Sequence, residues 1–128
     1  MNFKISEKST SYGNAVKDKS FEFAVRIVKA YKYLNKSEYS IDPLLKQLLK
    51  SGTSIGANVH EAQAAITKKD FINKLQIALK EANESEYWIN LLFKTDVLNS
   101  EQFESLQKDC NELIKLLTSI LKSLKAAS

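Results

Sequence analysis

Along most of the chain apolar residues recur at spacings of three and four, and nowhere do they alternate at a period of two for long enough to make a strand. Four helices follow from that period. In the first, over about residues 14–35, Phe21, Ala24, Val25, Val28, Tyr31 and Leu34 share one side. In the second, over about 42–66, the stripe is Leu44, Leu48, Ile55, Val59 and Ile66. The third, over about 67–96, sets Phe71, Leu75, Ala78, Ala82, Ile89 and Leu92 against a wet face of Lys69, Asn73, Gln76, Lys80, Asn83, Asn90 and Lys94, broken only by Tyr87. The fourth, over about 100–125, carries Phe103, Leu106, Cys110, Leu113, Leu117, Ile120 and Leu124 at spacings of 3, 4, 3, 4, 3 and 4. A heptad seam of this kind favours helix packing at about 20°. Residues 1–13, rich in Ser, Thr and Lys and without a sustained period, read as an N-terminal arm.

The punctuation between these stripes is sparse, with three glycines and one proline in 128 residues. Long helices with short loops are therefore expected. Asp42-Pro43 reads as a helix start, the carboxylate accepting an orphan N–H and the proline tolerated in the first turn. Thr67-Lys68-Lys69-Asp70 has the form of a capping box, and Asn99-Ser100-Glu101 supplies the next cap. Gly52 and Gly56 sit mid-helix, where each costs about 1 kcal/mol relative to alanine. Being four apart they share a face, and the expectation is close packing against a neighbouring helix. A phosphate-cradling loop is excluded there, because no strand precedes the glycines and no Gly-Lys-Ser/Thr follows. The pattern as a whole predicts a single-domain, all-α protein built as an antiparallel up-down-up-down four-helix bundle.

Composition narrows the function classes without naming one. Nineteen Lys+Arg against fifteen Asp+Glu give a net charge of +4, enough to attract polyanions but far from a strongly basic tail. The one cysteine, Cys110, cannot form an internal disulfide, which points to a reducing, cytoplasmic setting. The first residues lack the apolar core of a signal peptide, and no apolar run approaches the roughly 20 residues of a membrane span. Neither export nor membrane insertion is expected.

Catalytic and metal constellations fail one by one. His60-Glu61 begins a His-Glu-x-x-His pattern, but Ala64 stands where the second histidine belongs, and His60 is the only histidine. No glutamate has a histidine three residues on, so a di-iron bundle site is excluded too. Glu61, Glu81 and Glu84 could do acid–base work only if burial separated their pKa values, and Cys110 falls on the core seam, where it acts as a small apolar residue. Tyr87 and Trp88 lie among Ile89, Leu91, Leu92 and Phe93 and read as core or interface rather than base-stacking residues. The expectation is a protein that is not an enzyme and takes no cofactor, metal or small-molecule substrate.

What remains is surface. Lys108, Lys115 and Lys122 recur every seven residues opposite the last seam, with Lys125 beside them, while Arg26, Lys29 and Lys36 share a side of the first helix with Lys32 nearby. These eight are the candidate nucleic-acid contacts. Phe23, Ile27 and Tyr33 fall outside the first helix's stripe, and the run from Tyr87 to Phe93 wraps most of its helix. Apolar surface of that kind predicts self-association.

Two segments carry a resemblance. One is Gln47-Leu48-Leu49-Lys50-Ser51-Gly52-Thr53-Ser54-Ile55-Gly56-Ala57-Asn58-Val59-His60-Glu61-Ala62. The other runs from Asp70-Phe71 through Lys74-Leu75, Ile77-Ala78, Lys80-Glu81-Ala82, Glu84-Ser85 and Tyr87-Trp88-Ile89 to Leu91-Leu92. Together they resemble the bacterial four-helix-bundle proteins encoded within intervening sequences of 23S rRNA genes, a family similar to the accessory protein of diversity-generating retroelements. The resemblance implies an antiparallel bundle, a homopentamer, and association with RNA or ribonucleoprotein, with no catalytic residues to carry over. The alternative to an RNA role is a protein–protein interaction adaptor.

Overall fold

The structure, a computed structural model, describes residues 7–38 and 41–126, with side chains from residue 14 onward. It consists of α1 (Glu7–Leu34), α2 (Asp42–Gln63), α3 (Lys68–Lys94) and α4 (Ser100–Ala126), with no strand among the described residues. Each helix packs on the next, and α4 returns to α1. The pairings between neighbours give the direction. Lys19 meets Glu112 while Arg26 meets Asp109, Ile27 abuts Gly52 while Ser20 abuts Gly56, and Glu61 meets Lys74 while Ser51 meets Ser85. In each pair of contacts one residue number rises as the other falls, so neighbouring helices run antiparallel. α1 begins at Glu7, inside the stretch read as a frayed or docking N-terminal arm; residues 1–6 of that arm lie outside the described residues.

The core is the stripe of α3 and the seam of α4 as their spacing predicts, with Phe71, Leu75, Ala78, Ala82, Ile89 and Leu92 facing Leu106, Cys110, Leu113, Leu117, Ile120 and Leu124. Phe93 and Phe103 stack at 4.1 Å between ring centres and close one end. In α1 the expected face is rotated. Val16, Ser20, Phe23, Ile27 and Leu34 are buried, whereas Phe21 is 69% exposed and Val25 and Val28 are also on the surface. In α2 the inward residue is Leu45, with Leu44 only half-buried. Ile66 lies beyond the helix end and is 86% exposed.

Glycine explains the rotation of α1. A Cβ built on Gly52 would lie 2.8 Å from Ile27 Cγ1, and one on Gly56 would lie 3.1 Å from the backbone oxygen of Ser20. Both glycines thus stand where α1 approaches α2 most closely, and the side of α1 holding Ser20 and Ile27 must face inward. On the other flank of α2 the small residue Ser51 meets Ser85, also buried, at 2.9 Å, and Ser85 Oγ is 2.9 Å from the Glu81 carbonyl oxygen. With one proton per hydroxyl, Ser51 donates to Ser85 and Ser85 to Glu81, leaving neither hydroxyl orphaned in the core.

The helix ends follow their chemistry with one exception. Thr67 accepts from the Asp70 N–H at 3.1 Å, and Asn99 and Gln102 bond each other's backbone N–H at 2.8 and 2.9 Å, a reciprocal cap. α3 ends in a Schellman motif: Val97 N–H reaches Leu92 O at 2.9 Å, Asp96 N–H reaches Phe93 O at 3.1 Å, and Asp96 takes the left-handed φ of 64°. The exception is Asp42, which makes no cap; Ile41 is the N-cap residue of α2 and has no side-chain acceptor. The Asp42 carboxylate is instead bound by the Tyr31 hydroxyl at 2.8 Å and by Lys46 at 3.0 Å, so it ties α1 to α2.

Two stability outcomes follow. Gly52→Ala gains helix propensity yet is expected to lose about 1–2 kcal/mol of unfolding free energy, because Ile27 cannot yield inside a filled core. In an Ile27→Ala background the same change is expected to stabilise, and denaturant midpoints of the four proteins of that cycle would show the reversal of sign. Asp96→Gly, which relieves a side chain in left-handed backbone, is expected to raise stability by about 0.5–1 kcal/mol in the same assay.

Candidate nucleic-acid interface

Seven of the eight candidate cations are exposed, namely Lys29, Lys32, Lys36, Lys108, Lys115, Lys122 and Lys125. Arg26 is not available in the expected way. Its guanidinium pairs with the Asp109 carboxylate, donates to Ser105 Oγ at 2.8 Å and reaches the Ser105 carbonyl oxygen at 3.4 Å. It is thus a bridge from α1 to α4, reinforced one end further on by Lys19 and Glu112 at 3.3 Å. Both partners of Arg26 lie about eighty residues away in sequence, where no local pattern could reveal them.

The remaining cations form two groups that the fold does not merge. In the antiparallel register Lys29, Lys32 and Lys36 stand near the start of α4, whereas Lys115 and Lys122 lie toward its other end. Both groups occupy segments without acid. Residues 23–37 hold Arg26, Lys29, Lys32 and Lys36 and no Asp or Glu, and residues 113–126 hold Lys115, Lys122 and Lys125 and none either. Lys108 differs, since Glu104 and Glu112 lie one turn to either side of it. Among the described residues Lys108, Lys115 and Lys122 form no ion pair, so their charge is open to solvent and to an incoming phosphate.

The carboxylates weighed as acid–base candidates do not converge. Glu61 is held by Lys74 at 3.0 Å, about two turns of α3 from Glu81. Burial, and then the neighbouring Glu84 charge, raises the pKa of Glu81. The Cys110 thiol, bonded to the Ala82 carbonyl oxygen at 3.3 Å, is pushed up to about 12, by burial first and then by Glu86 and Asp109. A thiol so placed is a core group rather than a nucleophile. His60 is exposed and lines a shallow groove with Lys17, Phe21 and Gly56. No three metal-ligating side chains come together among the described residues, and no helix of that set is long and apolar enough to cross a membrane.

The comparison that decides the ancestry is a family model, the 23S rRNA-intervening sequence protein, which matches residues 13–119. The chain belongs to that family. Among solved structures this family member is similar to a protein of unknown function from the S23 ribosomal protein family of Bacteroides thetaiotaomicron VPI-5482. The two share 56% identity with a TM-score of 0.83, over 87% of this chain and 98% of the other. No curated protein matches the chain. The family model reaches from the first turns of α1 to about two turns short of the end of α4, so it embraces the glycine face, the α1–α4 bridge, the whole of segment 23–37 and, of segment 113–126, the half that holds Lys115.

The tie between Tyr31 and Asp42 has a pH signature. The Tyr31 hydroxyl, and then Lys46, lowers the Asp42 pKa, while Asp42 raises that of Tyr31. A lowered carboxylate pKa contributes stability above the unfolded-chain value of about 3.9 and loses it as pH falls through the folded value. Tyr31→Phe is therefore expected to move the Asp42 titration upward in NMR and to destabilise at neutral pH. The stability difference from wild type should close as pH falls through the lowered folded-state value of Asp42.

Proposed function

We propose that this chain is a non-catalytic, homo-oligomeric helical bundle of the cytoplasm that associates with RNA or ribonucleoprotein through its lysine-rich outer faces. The observation that carries the reading is the pair of acid-free cationic segments, residues 23–37 and 113–126, on the outside of α1 and α4. Eighteen of the nineteen basic residues are lysine, and a lysine ammonium meets phosphate as a point charge without the paired geometry of arginine. Contact of this kind is electrostatic and largely blind to sequence. The family's name refers to an intervening sequence of 23S rRNA, and that of the Bacteroides protein to a ribosomal-protein family, which favours ribosomal RNA as the polyanion.

Self-association is supported by the apolar stripe that the α1 rotation leaves outside. Phe21, Val25 and Val28 fall on one side of the helix and remain exposed, in place of the Phe23 and Ile27 that the sequence suggests. Of the run from Tyr87 to Phe93 only Tyr87 is strongly exposed. Assembly through such a stripe multiplies the charge of +4 per chain into a larger positive field, and the family resemblance points to five copies.

Two measurements test the proposal. Light scattering of the wild type should give a multiple of 14.5 kDa, with five the expected number, and Val25→Glu should give the single-chain mass with its helical circular dichroism intact. A wild type of single-chain mass at micromolar concentration removes the oligomer. Structured RNA titrated at two salt concentrations should bind with an affinity that falls steeply as salt rises. The variant carrying Lys108→Gln, Lys115→Gln and Lys122→Gln should bind more weakly, with a salt slope shallower by about one for each phosphate it no longer neutralises. Binding that is absent at low salt leaves the adaptor reading in its place.

A further inference from the structure

Where the end of α1 meets the start of α4, a groove of about 300 Å³ opens between the helices. Its apolar lining is Ala30, Leu34, Leu98 and Leu106, and Tyr33 stands at its side with 70% of its surface exposed. The rest of the lining is polar and of one sign: Arg26, Lys29 and Gln102, with no acid. Gln102 Oε1 accepts the Asn99 backbone N–H, a donor that only the oxygen can satisfy, so the amide nitrogen keeps its two N–H donors, and neither has a partner among the described residues. Lys32 and Lys36 lie within three residues of Tyr33, inside the acid-free segment 23–37.

We propose that this groove takes one unpaired base of single-stranded RNA. Tyr33 offers the ring on which the base stacks, Gln102 donates to whichever ring nitrogen or carbonyl the base presents, and Lys29, Lys32 and Lys36 neutralise the flanking phosphates. Stacking on an exposed aromatic among cations is how unpaired strands are held without sequence preference, because every base has a face to offer. A base locked in a duplex cannot enter, so the site separates strand states, which the lysine stripe of α4 cannot do. The groove suits this occupant better than a second copy of the chain on two counts. Lys29, Lys32 and Lys36 would repel their own image, and Tyr33 lies about 80–140° around α1 from Phe21, Val25 and Val28, the stripe assigned to self-association.

The inference rests on the RNA reading and adds to it a place and a strand state. The experiment is fluorescence anisotropy with a short labelled oligouridine and with a labelled RNA duplex, on wild type, Tyr33→Ala and Tyr33→Phe, each checked for mass by light scattering. Tyr33→Ala is expected to weaken oligouridine about tenfold and leave the duplex unchanged, and Tyr33→Phe, which keeps the ring, to stay within about twofold of wild type. If the wild type binds and Tyr33→Ala binds oligouridine equally well, the base site is wrong while the RNA reading stands. Equal weakening toward the duplex, or a changed mass in Tyr33→Ala, also overturns it, the latter by making the groove an interface between copies. A wild type that binds neither RNA at low salt removes both readings together.

Discussion

Two helices can approach only as far as the atoms between them allow, and in this bundle the limit is set at two positions on α2. With hydrogen in place of a side chain at Gly52 and Gly56, the backbone of α1 near Ser20 and the branched side chain of Ile27 come to rest directly on α2. That contact fixes the rotation of α1 about its own axis. Once Ser20 and Ile27 face inward, Phe23 and Val16 must follow them into the core, and Phe21, Val25 and Val28 must go outside. The rotation also aims Arg26 at Asp109 and Ser105, which closes the bundle from α1 to α4. Core membership, the closing bridge and the composition of the outer surface of α1 are all consequences of one close approach.

How much of this is legible in the sequence differs between helices for a physical reason. α3 and α4 each carry a single apolar stripe, and the residues it names are the residues buried, with Phe103 at the edge of the core. α1 carries two apolar stripes of similar strength, and periodicity has no means to choose between them. The deciding contact is with glycines on another helix. In α2 the spacing puts the stripe one residue early at Leu44 and carries it one turn too far to Ile66, because no glycine or proline marks the end at Gln63. The lysine faces can be read as exposed from their heptad spacing alone. Arg26, Asp42 and the buried pair Ser51 and Ser85 cannot be read, since each is defined by a partner on another helix.

The buried hydroxyls Ser51 and Ser85 are satisfied by each other and by the Glu81 carbonyl oxygen, which keeps α2 and α3 close without leaving a charge in the core, whereas Trp88 Nε1 and Gln107 Oε1 are buried without a partner among the described residues. Ion pairs, by contrast, sit at the edges: Lys19 with Glu112, Arg26 with Asp109, Lys74 with Glu61. Exposed pairs of this kind contribute little to stability individually. Being neutral, they add no positive potential to the surface; that of α1 and α4 comes from the lysines of the acid-free segments 23–37 and 113–126 themselves.

Cys110 carries a consequence for how this molecule can be watched. Its thiol is fully buried between α3 and α4, bonded to the Ala82 carbonyl oxygen, and held far from ionisation at neutral pH. The ionised thiolate is the nucleophile that attacks a thiol reagent and must be reached by it, so modification must wait until α4 separates from α3. With a single cysteine in the chain, every labelled molecule records one such separation. The rate of labelling is then a clock for the opening of the seam that lies farthest from the glycine contact, built into the natural sequence without any added probe.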